Sequence, residues 1–200
     1  MTNQPTRAWD LLKPNKNEQA LLDEATKLGF KNVGFLYTTL HDLRAAQART
    51  NVPATQQRTR PPNTVQRILL TEKTNPPRIP GVELLAPTTR HAAEHPAIHY
   101  LYRAEIHPAK DKTHHPTTHL NQVIATILKE KNKHYLFDWS LILQEHDPHR
   151  RATILGRMLH NAKLLKKYRV KTSIITLADL PQKLLTPRDL KAIQHLLGLD

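Results

Sequence analysis

Residues 134–178 read HYLFDWSLILQEHDPHRRATILGRMLHNAKLLKKYRVKTSIITLA. The stretch opens on a strand-length apolar run, His134–Leu143, and closes on a β-branched one, Thr172–Ala178. Between them Asp147 to Arg169 reads as one long helix, with Asp147 as N-cap and Pro148 at the first helical position, where its missing N–H is not needed. Both strands are apolar rather than alternating, as in a parallel sheet covered by helices. At roughly 100° per residue, Ile154, Leu155, Met158, Leu159, Ala162 and Leu165 share one side of the helix. Arg150, Arg157, His160, Lys163 and Lys167 fall on the other. From Asp147 to Lys171 the chain holds eight Lys/Arg and one Asp. A helix needing only solubility mixes both signs, with Glu four residues before Lys; this one suits a polyanion.

The same rhythm extends outward. Ala8–Leu12 is a first strand. Asn15 or Asn17 caps a helix striped by Leu21, Leu22, Ala25 and Leu28, and Gly29 ends it. Val33–Tyr37 is a second strand and Leu40–Arg49 a second helix. Thr50–Thr64 holds three prolines, no glycine and no acid, with Arg58 and Arg60 inside it, and is expected to be a mobile loop standing where a helix would be. Gln66–Lys73, Gly81–Ala86 and Ile98–Glu105 read as strands three to five, with a short helix at Thr88–Glu94. Thr117 or Thr118 starts a helix with Leu120, Val123, Ile124, Ile127 and Leu128 on one face. His134–Leu143 is read as strand six, with Trp139 its largest core candidate, and Thr172–Ala178 as strand seven. A last helix takes Thr186 as cap, Pro187 at its first position and Gly198 at its end. No glycine-rich phosphate loop follows the first strand. The expected fold is therefore α/β: a single TIM-like (β/α) barrel over residues 1–200, about seven short parallel strands, with some helices shortened or replaced by loop.

Composition narrows the partners. Thirty Lys+Arg against 17 Asp+Glu gives a formal +13 over 200 residues, a footprint of nucleic-acid binding. No apolar run is long enough for a transmembrane helix, and no amphipathic stretch carries Trp or Phe as an interfacial helix would, so no membrane partner is expected. The N-terminus lacks the apolar core of a secretion signal, which points to a cytoplasmic chain. With no cysteine, disulfides and thiolate zinc sites are excluded.

The C-terminal half carries Asn161, Leu164, Lys167 and Tyr168, then Thr186-Pro187-Arg188-Asp189-Leu190, then Leu197-Gly198. In this pattern, and in GVELLAPTTRHAAEHPAIHYLYRAE (residues 81–105), it resembles archaeal ribonuclease P protein component 3, the family of the thirty-kilodalton eukaryotic subunit. Two features depart from that family. Asp10 matches an Asp in its first strand but the neighbours do not, and Thr176-Leu177-Ala178 lacks the family's glycine after strand seven. The resemblance implies a TIM-like barrel in an RNA-catalysed endoribonuclease, a hydrolase that removes the 5′ leader in tRNA processing. The RNA subunit would hold the magnesium, leaving no catalytic residue and no cofactor on this chain. The implied partners are ribonuclease P RNA, precursor tRNA indirectly, protein component 2 and the other protein subunits. Two rival readings are a metal-dependent phosphoesterase barrel of the polymerase-and-histidinol-phosphatase type and a generic RNA-binding barrel.

Candidate RNA contacts are Arg188, which would fork onto phosphate or pair with Asp189, and Arg157, Lys163 and Lys167 on the carboxylate-free face. Arg150 and Arg151 stand at a helix start, the wrong end for the macrodipole, so an anion should compensate them. Arg67, Arg90 and Arg103 match basic positions of the family by approximate location. His91 and His95, and the group His114, His115 and His119, lack a carboxylate framework for zinc and are taken as surface or RNA-facing imidazoles. Asp10, Glu105, Asp138 and Asp179 lie near strand ends where barrel catalysis would put acids. The strand-one sequence Trp9-Asp10-Leu11-Leu12 lacks the His-x-His that opens the phosphoesterase ligand set, and Asp138 reads as a buried or capping acid paired with an arginine.

Overall fold

Apolar runs too short to be helices leave their backbone groups to be satisfied by neighbouring strands, and here seven of them do so in chain order. The computed structural model describes residues 9–50, 64–73, 76, 78–112 and 116–199. The strands β1 (Trp9–Leu12), β2 (Asn32–Tyr37), β3 (Thr64–Leu70), β4 (Glu83–Pro87), β5 (Tyr100–Tyr102), β6 (His134–Asp138) and β7 (Lys171–Ile175) form one parallel sheet in the order 1-2-3-4-5-6-7. The helices α1 (Glu18–Lys27), α2 (Leu40–Thr50), α3 (Arg90–Glu94), α4 (Gln122–Glu130), α5 (Ser140–Gln144), α6 (Pro148–Lys167) and α7 (Pro187–Leu196) lie in the connections.

The sheet curls until its edges meet. Leu177 N–H donates to Leu11 O at 3.0 Å and Lys13 N–H to Ala178 O at 2.9 Å. Asp10 completes the seam by accepting from Thr176 N–H at 2.8 Å and from Thr176 Oγ1 at 2.6 Å. A carboxylate thus ties the first and last strands. The result is a nearly closed TIM-like barrel, with every strand contributing to its interior: Leu11, Leu36, Ile68, Leu85, Tyr100 and Tyr102, Leu136 and Ile175. The alternate strand positions, among them Val33, Phe35, Leu84, Leu101, Tyr135 and Phe137, pack outward against Leu21, Leu43, Leu128, Met158 and Leu165 of the helices. Gly34 faces the barrel interior, where a Cβ would come within 2.8 Å of Leu11 Cδ1 and 3.3 Å of Trp9 Cζ2.

Several boundaries differ from the sequence reading. The run His134–Leu143 is not one strand: β6 ends at Asp138, whose carboxylate accepts from Ser140 N–H at 3.0 Å and so turns the chain into α5. Trp139 is consequently half-buried, while Tyr135 and Phe137 are the large core residues. The helix α4 starts later than Thr117 or Thr118, because Asn121 is the side chain that accepts from Ile124 N–H. Strand β5 is only three residues long, since Arg103 adopts φ 57° and breaks the ladder. The connection lacking a helix among the described residues joins β3 to β4, whereas α2 fills the one before β3. Most of the expected loop at 50–64, with Arg58 and Arg60, lies outside the described residues, as do His114 and His115.

Candidate nucleic-acid interface

The two ends of the barrel treat charge differently. At the mouth, where strands end and helices begin, acids and bases are matched. Arg103 Nε lies 2.6 Å from the fully buried Asp138 carboxylate, the arginine-paired acid expected from sequence. Lys183 pairs with Asp179 at 2.8 Å, and Arg90 with Glu94 at 2.8 Å. Asp189 does not pair with Arg188. Its carboxylate accepts from Thr186 N–H and Oγ1 in a capping box, and these bonds hold it below the usual carboxylate range. Arg188 stays exposed at the start of α7. The anion expected at the start of α6 comes from within the chain: Glu145 lies 3.0 Å from Arg150 Nε, and its carbonyl accepts from Arg151.

Arg157 is the main correction. The helical wheel placed it on the open cationic face, but it is 6% exposed. Its Nε donates to Asp111 Oδ1 at 2.9 Å, and Nη2 lies 2.8 Å from the same oxygen. Nη1 donates to Glu105 O at 2.9 Å and His107 O at 3.1 Å, and Nη2 to Ala109 O at 2.9 Å. These contacts occupy every N–H of the guanidinium, leaving none for phosphate. Burial is the largest single influence on the Asp111 carboxyl and acts to raise it, but the bonds from Arg157 and Thr117 N–H, with the charge of Arg157, together outweigh it and hold the group low. Next to this knot Asn161, wholly buried, donates to Glu105 Oε1 at 2.9 Å, and Tyr135 OH donates to the same oxygen. Burial pushes the Glu105 carboxyl above its ordinary range. The sequence signal was available: Arg157 and Asn161 stand four apart, beside Ile154, Met158 and Leu165, on what proves to be the buried edge of α6.

Lys163 and Lys167 do lie on the exposed side of α6. Lys166, also exposed, donates to Gly198 O at 2.7 Å. Arg67 is half-buried on β3 at a position that points toward the helix layer. The nine candidate contacts therefore do not form one surface. Arg90, Arg103, Arg150, Arg151 and Arg188 stand at the mouth, Arg157 is interior, and Lys163 and Lys167 lie toward the opposite end.

At that opposite, N-terminal end, four helices stop in the same way. In α1, α4, α6 and α7 the second residue past the cap donates back across five residues: Phe30 to Ala25 O, Lys133 to Leu128 O, Val170 to Leu165 O and Leu199 to Gln194 O. The residue before each has positive φ: Gly29 at 88°, Asn132 at 50°, Arg169 at 55° and Gly198 at 69°. These are Schellman caps, whose left-handed position favours Gly or Asn; Arg169 is the exception. Lys133, buried, donates to Ala92 O, His95 O and Ile98 O, and burial pushes it down to about 8. Sequence reading passed over this end because its cations are scattered over separate turns.

Among the described residues the histidines do not converge. His91 and His95 rings stand 5.8 Å apart, and His107 and His119 rings 4.5 Å apart. Among the described residues no three His, Asp or Glu side chains are grouped as metal ligands. Burial drives the Asp10 carboxyl up to about 7, against the opposing bonds from Thr176. Among the described residues no helix is long and apolar enough to cross a membrane.

Fold and site together define a seven-stranded (β/α) barrel with a strongly cationic surface. Its fold is similar to a chain in a cryo-EM structure of archaeal ribonuclease P with mature tRNA, at TM-score 0.69 and 16% identity, covering 94% of this chain and 82% of that one. It is also similar, at TM-score 0.53 and 10% identity, to A. niger ochratoxinase, covering 95% of this chain and 66% of that one. A crystal structure of an amidohydrolase matches at TM-score 0.50 and 11% identity, covering 92% and 68%. No protein-family model and no curated protein matches the chain.

Proposed function

We propose that this chain is a protein subunit of ribonuclease P, of the component 3 kind, which binds the catalytic RNA and supports removal of the 5′ leader from precursor tRNA. The observation that carries the reading is the likeness in fold to a chain of archaeal ribonuclease P over nearly the whole of this sequence. The charge supports it. An excess of +13 neutralises phosphates and releases their counterions, which is the main driving force for binding a folded RNA. On this reading the RNA subunit holds magnesium and does the chemistry, while the chain takes component 2 and the other protein subunits as partners. Exposed Lys163, Lys167 and Arg188 remain candidate contacts, and Arg157 acts instead as an internal clasp.

A second reading is a metal-dependent phosphoesterase with its site at the mouth; an amidohydrolase barrel shares the fold. The mouth acids fit it poorly: Asp10 is bound to Thr176, Asp138 to Arg103 and Ser140, and Glu105 to Tyr135 and Asn161. Binding of the full chain to transcribed archaeal ribonuclease P RNA, against an unrelated structured RNA and across a salt series, tests the first reading. Tighter, steeply salt-dependent binding to the former is expected. Equal binding to both RNAs would reduce the protein to a generic RNA-binding barrel. Hydrolysis of a phosphate ester by the isolated chain with added divalent metal would establish the second reading instead.

A further inference from the structure

Strands β6 and β7 run side by side with His134 opposite Lys171. That register brings the two turns entering them together: Lys131 and Asn132 before β6, Arg169 before β7. Lys131, Arg169 and Lys171 are all exposed. From Lys163 to Lys171 the chain carries Lys163, Lys166, Lys167, Arg169 and Lys171 with no acid among them. The acids nearest in sequence or field are Glu130, which is exposed, Glu94, whose carboxylate is already 2.8 Å from Arg90, and Glu83, which acts on His134 together with Lys171 and accepts from Tyr100 OH at 2.7 Å.

Helix C-termini attract cations through the macrodipole, which accounts for Lys166 and Lys167 in the last turn of α6. It does not account for Lys171, which lies on a strand, and although it favours a cation at Arg169, just past the cap, it does not explain a long side chain on a left-handed backbone. Arg169 holds the left-handed cap position that α1 and α7 give to glycine and α4 to asparagine. A long side chain there adds strain without adding packing. What the position gains is an exposed guanidinium at the rim, on the turn that leads into Lys171 and next in register to the turn carrying Lys131. A guanidinium with two ammonium groups on the adjoining turn and strand end matches successive phosphates of a polynucleotide, which supply both the charge and the forked acceptors.

We propose that this rim, carrying Lys131, Arg169 and Lys171, receives the phosphate backbone of RNA. RNA then meets the barrel chiefly at the N-terminal ends of its strands, opposite the mouth where barrel enzymes keep their chemistry and where Arg188 stands. This rests on the RNA-subunit reading above.

The test compares two variants of the full chain: Lys131→Gln/Arg169→Gly/Lys171→Gln at the rim, and Lys13→Gln/Lys16→Gln at the mouth, the two exposed lysines that follow β1. Each is titrated with transcribed archaeal ribonuclease P RNA between low and moderate salt. The rim variant should lose about tenfold or more in affinity, and its salt slope should fall by about three, one for each phosphate released. The mouth variant should stay within about twofold of wild type, since its lysines contact no phosphate in this account. Thermal melting checks the fold, and Lys131→Gln/Lys171→Gln, which leaves the cap backbone untouched, serves if the triple variant is unstable. A rim variant that binds like wild type, or a mouth variant that loses more, overturns the rim proposal and leaves the RNA reading standing. If wild type itself shows no salt-dependent binding to this RNA, both fall together.

Discussion

The mouth and the N-terminal rim are built from the same strands and helices, yet they handle charge in opposite ways. At the mouth many cations have an acid or a carbonyl assigned to them: Arg103 has Asp138, Arg150 has Glu145 and Lys183 has Asp179, and just inside it Arg157 has Asp111 and three carbonyls, while Arg188 stays open. At the rim Lys131, Arg169 and Lys171 stand exposed on turns and a strand end that the β6–β7 register makes neighbours. Net charge alone does not distinguish these ends. Positive charge answered within the chain holds the fold together, whereas positive charge left facing solvent is available to a polyanion.

The comparison can be broken most forcefully at the mouth. Arg157→Ala strands three carbonyls and Asp111 around an empty space, and should cost about 3 kcal/mol or more in urea unfolding. An unchanged midpoint would mean the guanidinium is solvated rather than clasped. In the helix between the two ends, Leu165→Ala should cost about 2–5 kcal/mol, because Leu165 is wholly buried. Leu155→Ala should cost less, because Leu155 is only half-buried.

The seam offers a pH test. The Asp10 carboxyl, pushed up to about 7 by burial, binds a proton more tightly when folded than its ordinary value of 3.8 would allow when unfolded. The folded state therefore holds more protons between those values, and stability should fall as pH rises from about 4 to 7. Asp10→Asn, which imitates the protonated acid, should flatten that slope. A variant with the same slope as wild type would place the titration elsewhere, with Glu105 the next candidate.

The smallest effect is expected at the rim and has the opposite sign. Arg169→Gly relieves a left-handed backbone and should raise stability by up to ~1 kcal/mol. A gain in melting temperature with a loss of RNA affinity would mark Arg169 as kept for binding. A loss of both would show that its side chain packs against the barrel.

Much of this was legible in the sequence. Seven apolar runs interleaved with helical stripes gave the strand count and order, and Asp147-Pro148 and Thr186-Pro187 marked two helix starts. Composition also exposed the cationic excess. What stayed hidden depends on contacts distant along the chain. A helical wheel spaces Arg157 correctly along α6 but cannot know that the loop from Glu105 to Asp111, 46 residues earlier at Asp111, folds over it. The acid tie between Asp10 and Thr176 spans 166 residues and no periodicity announces it. The rim is assembled from two separate turns, so it exists only once β6 and β7 are paired in register.

The most direct measurement is reconstitution of ribonuclease P from transcribed archaeal RNA and its protein subunits, with this chain present or omitted. Leader removal from precursor tRNA is the readout. The account predicts that adding the chain in place of component 3 raises the cleavage rate well above the mixture lacking it, while the chain alone cleaves nothing. No gain on addition, with hydrolytic activity appearing in the isolated chain, would contradict it.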